Sequence, residues 1–569
     1  MPVEGKACVI DLIGNFDNTY CEFPEGISLL DIAAIYLENE AKWKSAFITS
    51  LGKVNSEQAS LEWWAYGTSS KNFLSSGLGN KVFQLLAIFS VLREQQVDLP
   101  LCIIGASAAQ KFIVQSFLDQ KPQNYKPRNF IRATYFSCVN AFRAFRLIIS
   151  LVGKKKPLVS PDVSLLTYTD ERCDGSDLFF GNLIRLIYRE QKDLKVQRLC
   201  YINGRFESIA SKILKNNLDM CPLFCFLTTT GVLRSLMRSM SMPFESERKS
   251  MLLELLGLDF TPLLMESLVD DLESGQYFNN MLVYYATVRM LKEQAPTRLI
   301  YPYENKSLEK MLLLATRKQR PEMICIGYQH TSVTPRHTTL MFAEGEAEST
   351  PLPDAIVTVG SVTRSYLEAY GNYPVGIFRT GCALRQKSVE ALGRRASSND
   401  EEFHVLVALS SSKRELIQAV LYCKQAWMIN KELRFAIRPH PEFPLSLLPA
   451  DLHTWLENYA VDLSGTELSG NLSWCDVCVY VSSTVALEVM MIGRPVINVL
   501  IGDAINPDPV LTKIMWHQVA ITPEELVNKC ETLKEVPPSQ FIEESNLARA
   551  YVQNYLKVPS DGDVKEFLL

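Results

Sequence analysis

The chain of 569 residues contains no charge-free apolar run of about 20 residues. No membrane-spanning helix is therefore expected. Its opening, Met1-Pro2-Val3-Glu4-Gly5-Lys6, lacks a basic region followed by an apolar core, so no secretory leader is expected. The six histidines are dispersed, with neither His-x-x-His nor His-x-x-x-His spacing. Among the 14 cysteines, Cys475 and Cys478 form a C-x-x-C without a second pair at zinc spacing, and Cys221 and Cys225 are likewise alone. Neither a metal site nor a cofactor is expected. Many cysteines sit in apolar, strand-like runs (Cys8, Cys102, Cys200, Cys325, Cys478), where they read as reduced, buried thiols of a cytoplasmic protein. There is no surplus of charge: the net value of −5 gives nucleic acid no reason to bind. Internal repeats and long low-complexity segments are also lacking. What remains is ordinary for a soluble globular protein, with 47% apolar and 21% charged residues. The length implies two or more domains.

One absence is local. No acidic residue occurs between Asp119 and Asp162, whereas Lys121, Lys126, Arg128, Arg132, Arg143, Arg146 and Lys154-Lys155-Lys156 all fall there. Phe130, Tyr135, Phe136, Phe142, Phe145, Leu147, Ile148, Ile149 and Leu151 are interleaved with them. Residues 121–156 thus read either as a basic amphipathic element contacting an anionic membrane surface or as a packed helix with a solvated basic edge.

Elsewhere strands and helices alternate, which implies parallel sheets covered on both faces. Strands are expected at Ala7–Leu12, Ser45–Thr49, Leu101–Ile104 and Leu199–Ile202. Helices are expected at Ser28–Leu37, Asn80–Glu94 and Leu178–Gln191. Residues 206–294 read as a helical insertion, with Ser250–Leu256 among its core-facing helices and its methionines (Met237, Met240, Met242, Met251, Met265) as core filler or a lipid-facing surface. The expected domains are an N-terminal Rossmann-like unit over 1–385, a polar linker over 386–402, a second Rossmann-like unit over 403–540, and a last helix and tail over 541–569. Trp63-Trp64-Ala65-Tyr66 with Ser69-Ser70-Lys71-Asn72 is an aromatic, polar stretch before the helix at Asn80.

The candidate site residues lie just past predicted strands, where open α/β sheets bind ligands. Phe435-Ala436-Ile437 leads to Arg438-Pro439-His440-Pro441. Val477–Val481 leads to Ser482-Ser483-Thr484 and a helix-like run carrying Glu488. Hydroxyl residues at a helix start leave N–H groups free for an anion, and His440 could add a donor. Ser410-Ser411-Ser412-Lys413 is a second hydroxyl turn, and Gly502-Asp503-Ala504 follows the next strand. In the first half, Arg298–Tyr301 leads to Glu304, and Met323–Tyr328 leads to His330. Simple N-caps would account for the hydroxyl clusters equally well.

Hydroxyl cluster, helix, Glu488 and Gly493-Arg494-Pro495-Val496-Ile497 together resemble the donor-nucleotide half of GT-B glycosyltransferases. The pairing of His440-Pro441 with Ser482-Ser483 is similar to bacterial sialyl- and Kdo-transferases. The resemblance implies two Rossmann-like domains facing across a cleft, and a CMP-activated ulosonic acid transferred to a surface polysaccharide or lipopolysaccharide. It implies a nucleotide-sugar donor held by Arg438, His440, Pro441, Ser482, Ser483, Thr484, Glu488 and Ser411. A glycan or glycolipid acceptor would meet Glu304 and His330 as catalytic residues. Transfer of a CDP-linked polyol phosphate, as in teichoic-acid polymerases, and a catalytically silent GT-B-like module remain as alternatives.

Overall fold

The computed structural model describes residues 7–11, 27–29, 33–73, 77–94, 101–119, 125, 130–151, 160–171, 175, 177–204, 206–216, 218–246, 251–386 and 402–568. Three parallel sheets organise them. The first has strand order β2-β1-β3, from β1 (Ala7–Asp11), β2 (Ile27–Leu29) and β3 (Leu101–Ile104). The second contains β4 (Val163–Thr169), β5 (Val196–Ile202), β6 (Cys221–Pro222), β9 (Arg298–Pro302), β10 (Ile324–Gln329), β11 (Ala355–Thr358) and β12 (Phe378–Thr380). Its order is β12-β11-β10-β9-β4-β5-β6. Between β6 and β9 lies a small antiparallel hairpin, β7 (Glu254–Leu255) with β8 (Leu258–Asp259). The third sheet runs β15-β14-β13-β16-β17-β18, from β13 (Phe403–Ala408), β14 (Leu433–Arg438), β15 (Ala460–Asp462), β16 (Val477–Tyr480), β17 (Val496–Val499) and β18 (His517–Ala520). The two large sheets with their helices are Rossmann-like domains, the α/β architecture expected from the alternation.

The central strands bury both faces, which is why they read as near-continuous apolar runs. Val405, Leu406, Val407, Val477, Cys478 and Val479 are all buried in one core, and Leu299, Tyr301 and Cys325 in the other. Each fully buried Val, Leu or Ile contributes roughly 1.5–3 kcal/mol of burial free energy.

Several expectations change. Ser45–Thr49 is not a strand; it lies inside the helix Ala33–Gln58, where Phe47 and Ile48 are buried. Its five residues suit either state in isolation, and packing of the long helix decides. The helix expected from Ser28 begins instead at Ala33, after β2. The helix expected over Ser250–Leu256 gives way to the β7–β8 hairpin, because Leu256 (φ 52°) and Gly257 (φ 75°) both adopt positive φ, the backbone of a tight hairpin turn. Among the described residues the 206–294 segment contributes four α-helices, Phe206–Lys215, Thr229–Ser246, Thr261–Glu273 and Gln276–Gln294, but also β6, which belongs to the large sheet. Met237 and Met240 are exposed rather than core filler. Within 1–385 the described strands form two parallel sheets and the antiparallel β7–β8 hairpin. The expected linker falls almost wholly outside the described residues, as do Lys154-Lys155-Lys156.

The C-terminal segment joins the two large domains. After the helix Pro538–Tyr555, Lys557 N donates to Val359 O (3.0 Å), and Ala383 N donates to Lys557 O (2.8 Å). Val564 and Phe567 then enter the core of the first large domain beside Tyr328. Gly360 permits the approach: a Cβ there would lie 2.3 Å from Asn554 O and 2.4 Å from Tyr555 O.

Candidate active site

The first half of the site forms where β9 turns into the helix Ser307–Gln319. Asn305 turns the chain at φ 56°, in the left-handed region that Asn tolerates. Glu309, in the first turn of that helix, folds back over the strand end. Its carboxyl accepts from Glu304 N (3.0 Å) and Asn305 N (2.8 Å). Burial and the neighbouring Glu304 push the Glu309 carboxyl up to about 8, against the pull of those N–H groups and Lys306.

Glu304 is partly exposed and ion-paired with Lys306. Its Oε1 lies 3.5 Å from His330 Nε2. Burial works to raise its pKa, but Lys306, helped by His330 and His337, holds it below the ordinary carboxylate value. The His330 side chain is only 5% exposed and stacks on Phe179, with centroids 4.7 Å apart. Burial pushes it down to about 4 despite Glu304, so the imidazole is neutral at pH 7. Its Nδ1 has no hydrogen-bond partner among the described residues. The pair therefore presents a partly exposed, ionised carboxylate backed by a neutral imidazole whose Nδ1 is buried. That is a chemically competent arrangement for handling a hydroxyl proton.

A buried charged layer supports this turn. Lys71 (φ 56°) pairs with Glu346, which also accepts from Asn55 Nδ2 (2.6 Å) and Ala343 N (2.8 Å). Ser70 Oγ accepts from Ser307 N (2.8 Å), and Lys310 sits 4.6 Å from the Trp64 ring centroid. Burial, then Lys71, pushes Lys310 down to about 7. The Trp63–Asn72 stretch is thus a brace beneath the Glu304 turn.

The second half forms at the carboxyl ends of β13, β14 and β16, which are neighbours in the sheet. Ser482 Oγ hydrogen-bonds to Ser410 Oγ (2.6 Å) and donates to Glu415 Oε2 (2.7 Å); Ser410 N donates to Glu415 Oε1 (3.0 Å). Glu415 is buried, and burial raises its pKa against the hydroxyl donors. Ser483 is buried, whereas Ser411 and Thr484 are exposed. The helix that follows, Val485–Met491, is only 7 residues long, and Thr484 makes no side-chain cap bond. Arg438 Nη1 donates to Thr466 O (2.8 Å) and Asn471 Oδ1 (2.6 Å). Its charge opposes the burial-driven rise of the Glu488 pKa. His440 Nδ1 accepts from Glu442 N (3.3 Å), beside the exposed Pro441.

The carboxyl ends of the two large sheets face each other. Arg336, in the loop after β10, places Nη1 3.7 Å from Asp503 Oδ1, in the loop after β17. Arg414 approaches the same oxygen at 3.9 Å and donates to Gly502 O (3.0 Å). The structure gathers Glu304 with His330, and Ser482 with the Ser410–Glu415 turn, on the two sides of this contact. Arg438, His440 and Glu488 stand at the adjoining strand and helix. Glu309, Glu415 and Lys306 were not anticipated. The usable signal is a glutamate seven residues after a strand end, at the reach of a folded-back cap.

No family model and no curated protein matches the chain. Solved structures similar to it include MurG of Acinetobacter baumannii, at 11% identity and TM-score 0.42, covering 72% of this chain and 99% of that one. The glycosyltransferase of kitacinnamycin is similar at 11% identity and TM-score 0.40, covering 72% and 97%. A UDP-GlcNAc 2-epimerase from Neisseria meningitidis, bound to UDP-GlcNAc, is similar at 10% identity and TM-score 0.39, covering 71% and 98%.

Proposed function

We propose that the chain is a nucleotide-sugar-dependent glycosyltransferase. The observation that carries this reading is the meeting of two Rossmann-like carboxyl edges at Arg336–Asp503. One edge carries the Glu304–His330 pair, and the other carries Arg438, His440 and the Ser482 cluster. Acceptor activation needs a group that takes a hydroxyl proton; Glu304 or the neutral His330 supplies it. Departure of the nucleotide phosphate needs positive or N–H groups; Arg438 and His440 supply them, with Ser483 beside. The donor we favour is a CMP-activated ulosonic acid, on the strength of the His440-Pro441 and Ser482-Ser483 resemblance.

The test is differential scanning fluorimetry with nucleotides. CMP should raise the melting temperature more than CDP or UDP, by mass action on the native state. A preference for UDP or GDP would overturn the CMP donor, and a CDP preference would favour polyol-phosphate transfer. His440→Ala should weaken nucleotide binding and turnover together. A second reading, a catalytically silent module, is favoured by two commitments: Glu304 is tied to Lys306, and the Ser482 hydroxyl to a carboxylate. Nucleotide binding without turnover on any acceptor would select it.

The reading includes peripheral docking on an anionic membrane. No described helix is long and apolar enough to cross one. The helix Phe130–Leu151 exposes Ile131, Tyr135, Phe142 and Ile149 beside Arg132, Arg143 and Arg146. The helix Thr229–Ser246, packed against it, exposes Leu233, Met237 and Met240. Ile131→Glu with Phe142→Glu should lower binding to anionic vesicles; unchanged binding would make this a solvated face.

A further inference from the structure

The loop after β10 carries a second histidine, His337, whose ring is held differently from that of His330. Thr334 N donates to His337 Nδ1 (2.9 Å), and Thr334 Oγ1 lies 2.9 Å from the same atom. A backbone N–H gives its proton to a lone pair. His337 Nδ1 therefore carries no proton, and the neutral ring keeps its own on Nε2. Burial lowers the His337 pKa against the pull of Glu304, and Lys306 and Arg336 add to the fall, so the ring is neutral at pH 7. His337 is half-buried, and none of the described residues bonds to its Nε2. Nor is that atom shut away from solvent, as His330 Nδ1 is. The ring thus offers one uncommitted N–H.

The loop is held from three sides. Asn305 Nδ2, next to Glu304 in sequence, donates to Thr339 O (2.7 Å), two residues past His337. Thr338 Oγ1 donates to Lys71 O in the brace. Tyr555 OH, from the C-terminal helix, accepts from Val333 N (2.9 Å) and donates to Val333 O (3.0 Å). Arg336, beside His337, reaches across to Asp503. His337 is therefore a neighbour of the Glu304 turn, and the Glu304 charge acts on its ring although no bond joins them. Glu304 meets Lys306 through Oε2 and His330 through Oε1. A carboxylate has about four lone-pair sites, so these two contacts leave it able to accept again. An open N–H beside an open carboxylate is complementary to a hydroxyl, which accepts and donates at once.

We propose that His337 donates its Nε2–H to the oxygen of the acceptor's reacting hydroxyl, while the proton of that hydroxyl faces Glu304. The inference rests on the glycosyltransferase reading and adds a substrate-binding residue to its acceptor side. A hydroxyl oxygen has two lone pairs: one takes the His337 N–H and the other is left to attack. In the transfer the O–H bond breaks as Glu304 takes the proton. The oxygen bonds to the anomeric carbon of the donor sugar. The bond from that carbon to the phosphate oxygen breaks, and its electrons leave with the nucleotide. His337 keeps its proton throughout; it orients the attacking oxygen. Water also accepts and donates, so it serves as the simplest acceptor.

The test reads nucleotide release by the full chain from a panel of CMP-, CDP-, UDP- and GDP-sugars, with water as acceptor. Two variants divide the ring's two roles. His337→Asn keeps an oxygen to accept from Thr334 N but ends short of Nε2. His337→Gln carries an amide N–H at the reach of Nε2. The Asn variant should lose roughly tenfold in kcat, the size of one hydrogen bond in the transition state, with KM for the donor unchanged. The Gln variant should recover most of that loss. Wild-type kcat in the Asn variant overturns the proposal. Equal losses in both variants also overturn it, since they trace to the loop and not to the N–H. A change confined to donor KM overturns it too, because it places His337 on the donor. Failure of the transferase reading looks different: the unaltered chain then neither binds a nucleotide nor releases one. Nucleotide binding without release from any donor selects the silent module and removes the acceptor role.

Discussion

The turn after β9 and the turn after β13 solve one local problem in the same way and present different chemistry. In each, a glutamate seven residues past the strand end returns from the first turn of the next helix. Glu309 accepts from the backbone N–H groups of Glu304 and Asn305. Glu415 accepts from the N–H of Ser410 and from the hydroxyls of Ser410 and Ser482. Both carboxyls are buried and raised, Glu309 to about 8. The first turn displays an ionised Glu304 to the cleft. The second spends its hydroxyls inward, on a carboxylate that repels an incoming phosphate. The comparison teaches that a hydroxyl cluster past a strand is not automatically free for an anion. Protonation of the capping glutamate decides how much it opposes one.

The largest expected effect is on the first turn. Glu304→Gln keeps size and hydrogen bonding but removes the proton acceptor. Turnover should fall by roughly 10² to 10⁴, with nucleotide affinity unchanged. Near wild-type transfer would move the catalytic base to His330 or elsewhere.

The next concerns His330, whose folded pKa of about 4 lies below its ordinary value. Between pH 4 and 6.5 the unfolded chain binds the extra proton, so stability is complete above that window and is lost as pH falls through it. The contribution is on the order of 3 kcal/mol. His330→Phe keeps the stack on Phe179 and removes the titration. Urea unfolding at pH 4.5 and 7 should therefore show a smaller acid loss for the variant; equal losses would contradict the buried neutral imidazole.

Glu309→Ala and Glu415→Ala then separate the two caps by stability. Glu309→Ala leaves two buried backbone N–H groups unmatched, at about 1–3 kcal/mol each before relaxation. Glu415→Ala leaves one N–H and two hydroxyls that can rotate toward solvent or each other, so its loss should be smaller. Chemical denaturation that ranks them in reverse would break the comparison.

The smallest effect has the most informative sign. Glu415→Gln removes a carboxylate's charge from beside Ser482 while keeping an acceptor for it. If a phosphate binds there, nucleotide affinity should rise a few-fold at neutral pH, with the gain fading toward acid as the native carboxyl protonates. Titration showing a weaker complex would mean that Glu415 holds the site in shape rather than opposing the ligand.

Much of this was legible in the amino-acid order. The runs Val477–Val481 and Val405–Ala408 are apolar without alternation, which suits strands covered on both faces. Hydroxyl residues at Ser482 and Ser410 marked where those strands end, as Pro439 and Glu304 did for β14 and β9. Short segments were less legible: Ser45–Thr49 has a strand's composition and sits in a 26-residue helix. Ser250–Leu256 has a helix's spacing and leads into a hairpin, because two positive-φ residues outweigh the periodicity.

Local sequence by itself determined the two parallel domains, their strand ends and the residue types displayed there, since hydrophobic period and turn chemistry act over a few residues. Tertiary structure alone decided the partners. Arg336 meets Asp503 because the C-terminal segment crosses back over Gly360 and fixes one domain against the other. Lys71 comes to rest on Glu346, 275 residues away, and Ser482 on Glu415, 67 residues away. Such pairings depend on burial and charge converging from distant segments, and those quantities exist only once the chain has folded.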